Sequence, residues 1–162
     1  MERIDETDRK ILSYLVKDSR TPFLEIARQC GVSGAAIHQR IAKLERSGII
    51  EGFSLNVKPS TLGLGVCAFI MITLTEDNKY SEVVKFLKKI PEIVECHFIT
   101  GKASIMIKVY CSDNDHLMEL LLSTIQKIPY VESSDTILSL NEAFKRPVWV
   151  SKAPETTWNK KQ

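Results

Sequence analysis

The chain has 162 residues, enough for one medium domain or two small ones, and 44% of them are hydrophobic, an ordinary share for a globular protein. No apolar run reaches the ~20 residues that span a bilayer, and the opening Met-Glu-Arg-Ile-Asp lacks the basic-then-apolar layout of an export signal, so a cytoplasmic location without membrane partners is expected. The formal net charge is only +2, which excludes a global field aimed at polyanions and moves the question to where the charges lie.

The first predicted helix opens at Ile4-Asp5-Glu6-Thr7-Asp8, with Asp5 as cap and Asp8 near the positive end of the dipole. Ile4, Ile11, Leu12, Leu15 and Val16 form its apolar stripe, and Asp18-Ser19-Arg20-Thr21-Pro22 ends it. A second helix follows, with Thr21 as cap, Pro22 in the first turn and Leu24, Ile26 and Ala27 on one side. Gly31 suits a left-handed C-cap. Ser33 then caps a third helix whose apolar residues Ile37, Ile41 and Leu44 recur at helical spacing up to Gly48.

So short a link as Gly31-Val32-Ser33 forces a steep crossing, the geometry of a helix-turn-helix that offers its second helix to the DNA major groove. The small first turn Ser33-Gly34-Ala35-Ala36 can come close to base edges. His38 and Gln39 are placed to hydrogen-bond there, while Arg40, Lys43 and Arg46 suit phosphates. Between Arg20 and Arg46 five cations face only Glu25 and Glu45, a local excess of three on this segment. An amphipathic helix with a solvated basic face is the plainer alternative.

Residues 50–57 alternate apolar and polar and predict a strand, open to pairing with another chain. Pro59, Gly63 and Gly65 then mark a linker. Beyond it the pattern changes to strand 66–75, helix 80–89, strands 93–100 and 104–111 around Gly101-Lys102-Ala103, helix 113–127 and strand 130–140. This is the order βαββαβ of a ferredoxin-like split motif. Ile90-Pro91 and Ile128-Pro129 repeat the same helix-to-strand exit. The expected fold class is α+β, a winged helix-turn-helix of three helices joined to a ferredoxin-like domain. The domains are residues 1–52 (DNA binding), 53–65 (linker with a strand), 66–145 (dimerisation and effector binding) and 146–162 (tail). Helices on one side of the sheet leave the other side bare, and Phe69, Met71, Phe98, Ile105 and Ile107 are the apolar residues expected on it, covered by a second subunit.

Cys30, Cys67, Cys96 and Cys111 are widely separated with no histidine pair at ligand spacing, so reduced thiols and no metal site are expected. The tail cations Lys145, Arg146, Lys152, Lys160 and Lys161 against Glu155 suit a solvated end or a second basic contact.

The motif Ile4-Asp5-x-x-Asp8-x-x-Ile11-Leu12-x-x-Leu15, then Glu25-Ile26-Ala27, then Val32-Ser33-x-x-Ala36-Ile37-x-x-Arg40-Ile41-x-Lys43-Leu44-Glu45-x-x-Gly48-Ile49-Ile50, with the element order that follows it, resembles the Lrp/AsnC (feast/famine) family of transcription regulators. That resemblance implies a sequence-specific regulator binding double-stranded DNA as a homodimer, often assembled into octamers. It also implies no cofactor beyond a small effector, commonly an amino acid, held where dimers meet. By the same resemblance the effector pocket uses the loop after the second strand and the last strand, here Thr100, Gly101, Ser104, Ser134 and Thr136. Ser104 stands where relatives usually carry Asp, so a hydroxyl that only hydrogen-bonds replaces a carboxylate that could pair with an amino group.

Two other functions remain open on sequence. Some relatives of this architecture resemble the chain yet are sirohaem decarboxylases, for which His97 and His116 would be the candidates. No Ser-His-Asp pattern, phosphate loop or paired metal motif supports an enzyme, and no catalytic residue is assigned. An effector sensor with weak DNA affinity is the other.

Overall fold

The computed structural model describes residues 4–150. The chain divides into two compact units. One runs to Leu55 and includes the segment from Phe144 onward, and the other is Asn56–Ala143. Residues 151–162, with the predicted tail cations Lys152, Lys160 and Lys161, lie outside the described part, as do the first three residues.

The first unit is built on three helices, α1 (Glu6–Lys17), α2 (Phe23–Cys30) and α3 (Gly34–Arg46). Asp5 and Asp8 form a reciprocal capping box at the start of α1: the Asp8 N–H donates to Asp5 Oδ1 at 2.7 Å and the Asp5 N–H to Asp8 Oδ2 at 3.1 Å. α2 begins one residue later than expected, with Pro22 itself at the cap position. Thr21 does not cap it, because its hydroxyl donates back to the Asp18 carbonyl at 2.8 Å. Gly31 adopts φ 68° and turns the chain, so that the Val32 N–H reaches the Ala27 carbonyl at 3.1 Å. Ile11, Leu15, Ile26, Ala27, Ile37 and Ile41 make the core of this unit.

The strand expected over 50–57 does not form; residues 51–58 carry no regular structure, and Phe53, Leu55 and Val57 are exposed. An extended segment becomes a strand only when another ladder lies beside it, and alternation alone does not supply one. The linker instead tightens into a 3₁₀ turn at Pro59–Leu62.

The second unit contains β1 (Val66–Leu74), α4 (Tyr80–Leu87), β2 (Ile93–Phe98), β3 (Ile105–Cys111), α5 (Asn114–Glu119) and β4 (Val131–Ser139), with strand order β2-β3-β1-β4, all antiparallel. That is the ferredoxin-like topology the element order predicts. The helix expected to run unbroken over 113–127 changes pitch. After α5 it widens into a π-helical turn at Leu120–Thr124 and closes with a 3₁₀ turn at Ile125–Lys127. Leu120 and Ile125 are both buried and five residues apart; an i→i+5 turn brings that spacing toward one side, which an ordinary α-helix does not.

Register corrects the expected open face. Ile70 pairs with Ile107 and Ile72 with Ile105, all fully buried with Ala68, Val83, Leu87 and Leu117 in one core. Directly paired residues share a face, so Ile105 and Ile107 point toward the helices. Phe98, paired with Ile105, joins them, its ring 4.6 Å from that of Tyr80 on α4. The open face instead carries Cys67, Phe69 and Met71 of β1, Met106 and Lys108 of β3, and Ile137 of β4.

Candidate nucleic-acid interface and effector groove

α3 has a sealed side and an open side. Ile37, Ile41 and Leu44 are buried, whereas Ala35, His38, Gln39 and Ala42 are exposed. Ser33 caps the helix, accepting the Ala36 N–H at 3.2 Å, and no acidic residue neutralises its first turn. The N–H groups of Gly34 and Ala35 have no intrahelical acceptor, so the small first turn presents backbone donors with little side-chain bulk in front of them. His38 packs edge-on against Phe23 with ring centroids 4.9 Å apart. Beside them Pro22, Phe23, Leu24, Gly34 and His38 line an open cleft of about 520 Å³. Lys43 is half-exposed, and Arg46 is exposed with its Nε donating to the Ala42 carbonyl at 3.2 Å.

Ser33, Gly34, Ala35, Ala36, His38, Gln39 and Lys43 thus occupy one helix with their neighbours. Arg40, expected to suit phosphates, is engaged within the unit. Its Nη1 donates to Asp5 Oδ2 and to Asp8 Oδ1, each at 2.6 Å. The Asp8 side chain is 2% exposed and that of Arg40 only 32%. Sequence reasoning missed this cluster because its members are 32 and 35 residues apart. The backbone N–H of Asp8 and then Arg40 hold the Asp5 carboxyl below its ordinary pKa, and the two carboxylates raise that of Arg40.

The residues expected to hold an effector divide into two sets. Ser134 and Thr136 of β4 line a groove of about 330 Å³ with Asn114, Leu117, Met118, Leu121, Leu122, Gln126 and Leu138. The widened turn after α5 supplies its leucine wall. Thr100 and Gly101 lie in the β2–β3 loop, where Gly101 takes φ 122°, and they do not line this groove. Ser104 is buried. Its N–H donates to the Ile72 carbonyl at 2.9 Å and its carbonyl accepts the Ile99 N–H at 3.0 Å, so it closes the hairpin. Ser134 sits opposite the same Ile72 from the other side.

Three titratable groups stand apart from both sites. Lys108, 8% exposed on the open sheet face, lies 3.7 Å from Glu95 and 5.4 Å from the Tyr110 ring centre. Burial works against its charge, but a hydrogen bond with Tyr110 and the carboxylates of Glu95 and Glu142 outweigh that and raise its pKa. His116 faces Glu92 at 3.3 Å and the Ser112 hydroxyl at 3.2 Å, while His97 faces Glu95 at 3.4 Å. His116 and His97 therefore have separate carboxylate partners. Among the described residues no His, Cys, Asp and Glu cluster could hold a metal, and no helix is long and apolar enough to cross a membrane.

Two family models match the chain: an AsnC-type helix-turn-helix domain over residues 4–45 and an Lrp/AsnC ligand binding domain over residues 67–149. The regulatory protein AsnC of Haemophilus influenzae is 38% identical, over 91% of this chain and 99% of its own length. The solved structure of Escherichia coli AsnC superposes with a TM-score of 0.83 at 37% identity, covering 91% of this chain and 99% of that one. A feast or famine regulatory protein from M. tuberculosis, solved in complex with L-methionine, gives a TM-score of 0.85 at 25% identity, covering 92% of this chain and all of that one (100%).

Proposed function

The chain belongs to the Lrp/AsnC family of helix-turn-helix transcription regulators, and from that premise we propose how its parts divide the work. α3 enters the major groove with its exposed side. The N–H groups of Gly34 and Ala35 and the ammonium of Lys43 meet phosphates, while His38 and Gln39 hydrogen-bond base edges. Leu24, 67% exposed beside His38, offers an apolar surface to a thymine methyl. The observation that carries this reading is the two-sided character of α3: three buried aliphatic side chains hold it to the unit, and the opposite side starts with residues too small to keep a duplex away.

The open sheet face, with Phe69, Met71, Met106 and Ile137, meets a second copy, and the pair sets two α3 helices on successive grooves. Pairs assemble further, toward octamers. The groove between β4 and the end of α5 takes an amino-acid effector, whose aliphatic or thioether side chain lies on Leu117, Met118, Leu121 and Leu122 while Ser134 and Thr136 supply hydroxyls. The relative solved with L-methionine supports that class of ligand. A cytoplasmic location suits these partners.

Selection from a random-sequence duplex pool, followed by titration of the enriched duplex at graded salt, tests the reading. A log–log salt slope of about −0.9 per phosphate contact is expected. Failure to enrich any sequence at low salt, or a flat slope, overturns it. Thermal shifts against the twenty amino acids test the groove, since a true effector raises the melting temperature with concentration.

A further inference from the structure

We propose that Arg40 is a positioning residue that fixes the roll of α3, and that Asp5 and Asp8 are its anchors; the inference rests on the reading of α3 as the DNA-contacting helix. All four carboxylate oxygens of the two aspartates are committed. Asp5 uses Oδ1 for the Asp8 N–H and Oδ2 for Arg40, while Asp8 uses Oδ2 for the Asp5 N–H and Oδ1 for Arg40. The capping box that starts α1 is therefore also the socket for a side chain of α3. Neither aspartate can turn away without giving up a cap, so the socket is rigid before Arg40 enters it.

Ile37, Ile41 and Leu44 select the face of α3 that is buried, but apolar contact carries no hydrogen-bond direction to set its roll to within a few degrees. A charge-assisted pair of hydrogen bonds is directional. Arg40 directly follows His38 and Gln39, so the clamp acts next to the proposed base-reading side chains. A roll of about 10° moves a side-chain tip on a helix of about 5–6 Å outer radius by about 1 Å. That is enough to spoil a hydrogen bond to a base edge.

The cluster carries two negative charges and one positive. If its only relevance to DNA were Coulombic, removing an aspartate charge would tighten binding, and a freed Arg40 would add a phosphate contact. The clamp requires the opposite sign. The experiment is a titration of the duplex enriched by the wild-type chain with full-length Asp8→Asn, Asp5→Asn and Arg40→Ala, across a range of salt. Asp8→Asn is expected to weaken binding about tenfold, the cost of a mis-set base-reading helix. Asp5→Asn keeps one oxygen for the cap but sets an amide NH2, a donor, where Oδ2 accepts from Arg40, and about threefold weaker binding is expected. Arg40→Ala is expected to weaken binding with the salt slope unchanged, whereas loss of a phosphate contact lowers the slope by about 1.

Circular dichroism identifies any variant whose helices are lost; should Asp8→Asn prove unfolded, Asp5→Asn decides. Equal or tighter binding by a folded aspartate variant, or a slope reduced by about one contact in Arg40→Ala, overturns the clamp. A wild-type chain that enriches no duplex overturns the DNA reading itself, a result distinct from either.

Discussion

Ile37 and His38 are neighbours on α3, one buried and one exposed, and replacing each by alanine separates what holds the helix from what it reads. Ile37 is fully buried. Its truncation removes three carbons at about 0.8 kcal/mol each and leaves a cavity, for a total of about 3–4 kcal/mol. A unit of this size has about 3–5 kcal/mol of its own, so Ile37→Ala should bring it near half-unfolded at room temperature. His38 is exposed and touches Phe23 only edge-on, so His38→Ala should cost less than about 1 kcal/mol of stability. It should cost DNA affinity about tenfold, the scale of one lost base contact. Hydrogen exchange resolves the first effect: amides of α1, α2 and α3 should lose protection in Ile37→Ala while those of β1 and β3 keep theirs. Titration of the enriched duplex resolves the second. The reasoning is refuted if Ile37→Ala melts within about 1 kcal/mol of wild type, or if His38→Ala unfolds the unit and leaves affinity untouched.

Asp5 and Asp113 both have pKa values below the ordinary 3.8, Asp5 through the Asp8 N–H and Arg40, Asp113 through the His116 N–H and the Ser112 hydroxyl. Their stabilisation is therefore complete above that value and is lost as pH falls below it; in acid unfolding, Asp113→Asn should flatten the limb below pH 3.8. Gly31→Ala meets no atom within 4 Å but must hold φ 68°, so about 1 kcal/mol of destabilisation is expected in urea melts. Met71→Asp, on the open sheet face, should reduce the mass in solution toward a single chain, and an unchanged mass would remove that face as the subunit contact.

Most helix starts were legible because each signal is local, though Thr21 does not cap α2 and the helix expected over 113–127 changes pitch after Glu119. Asp5, Ser33 and Asp113 cap where their side chains say they should, and Gly31 turns left-handed. The βαββαβ order was legible for the same reason. Strand phase was only half legible: Phe69 and Met71 do lie on the open face, but Ile-Met-Ile-Lys-Val-Tyr-Cys of β3 is apolar at most positions and does not say which alternate set meets the helices. Burial settles it in favour of Ala68, Ile70 and Ile72, and by register moves Ile105 and Ile107 off the open face. The groove was half legible. Ser134 and Thr136 were named, but its leucine wall depends on a change of helical pitch after Glu119 that no simple periodicity contains. Arg40 reads as a surface cation because its partners sit at the start of α1, two turns and a whole helix away along the chain.

The most direct test of the central claim is a charge placed where DNA should lie. Ala35 is exposed in the first turn of α3, where a carboxylate favours the helix by its dipole, so Ala35→Glu should melt at or above the wild-type temperature. If the exposed side of α3 enters the major groove, the same change should weaken binding of the enriched duplex by more than about 100-fold, since like charge and bulk meet at the closest approach. A folded Ala35→Glu chain that binds that duplex as tightly as wild type would contradict the account.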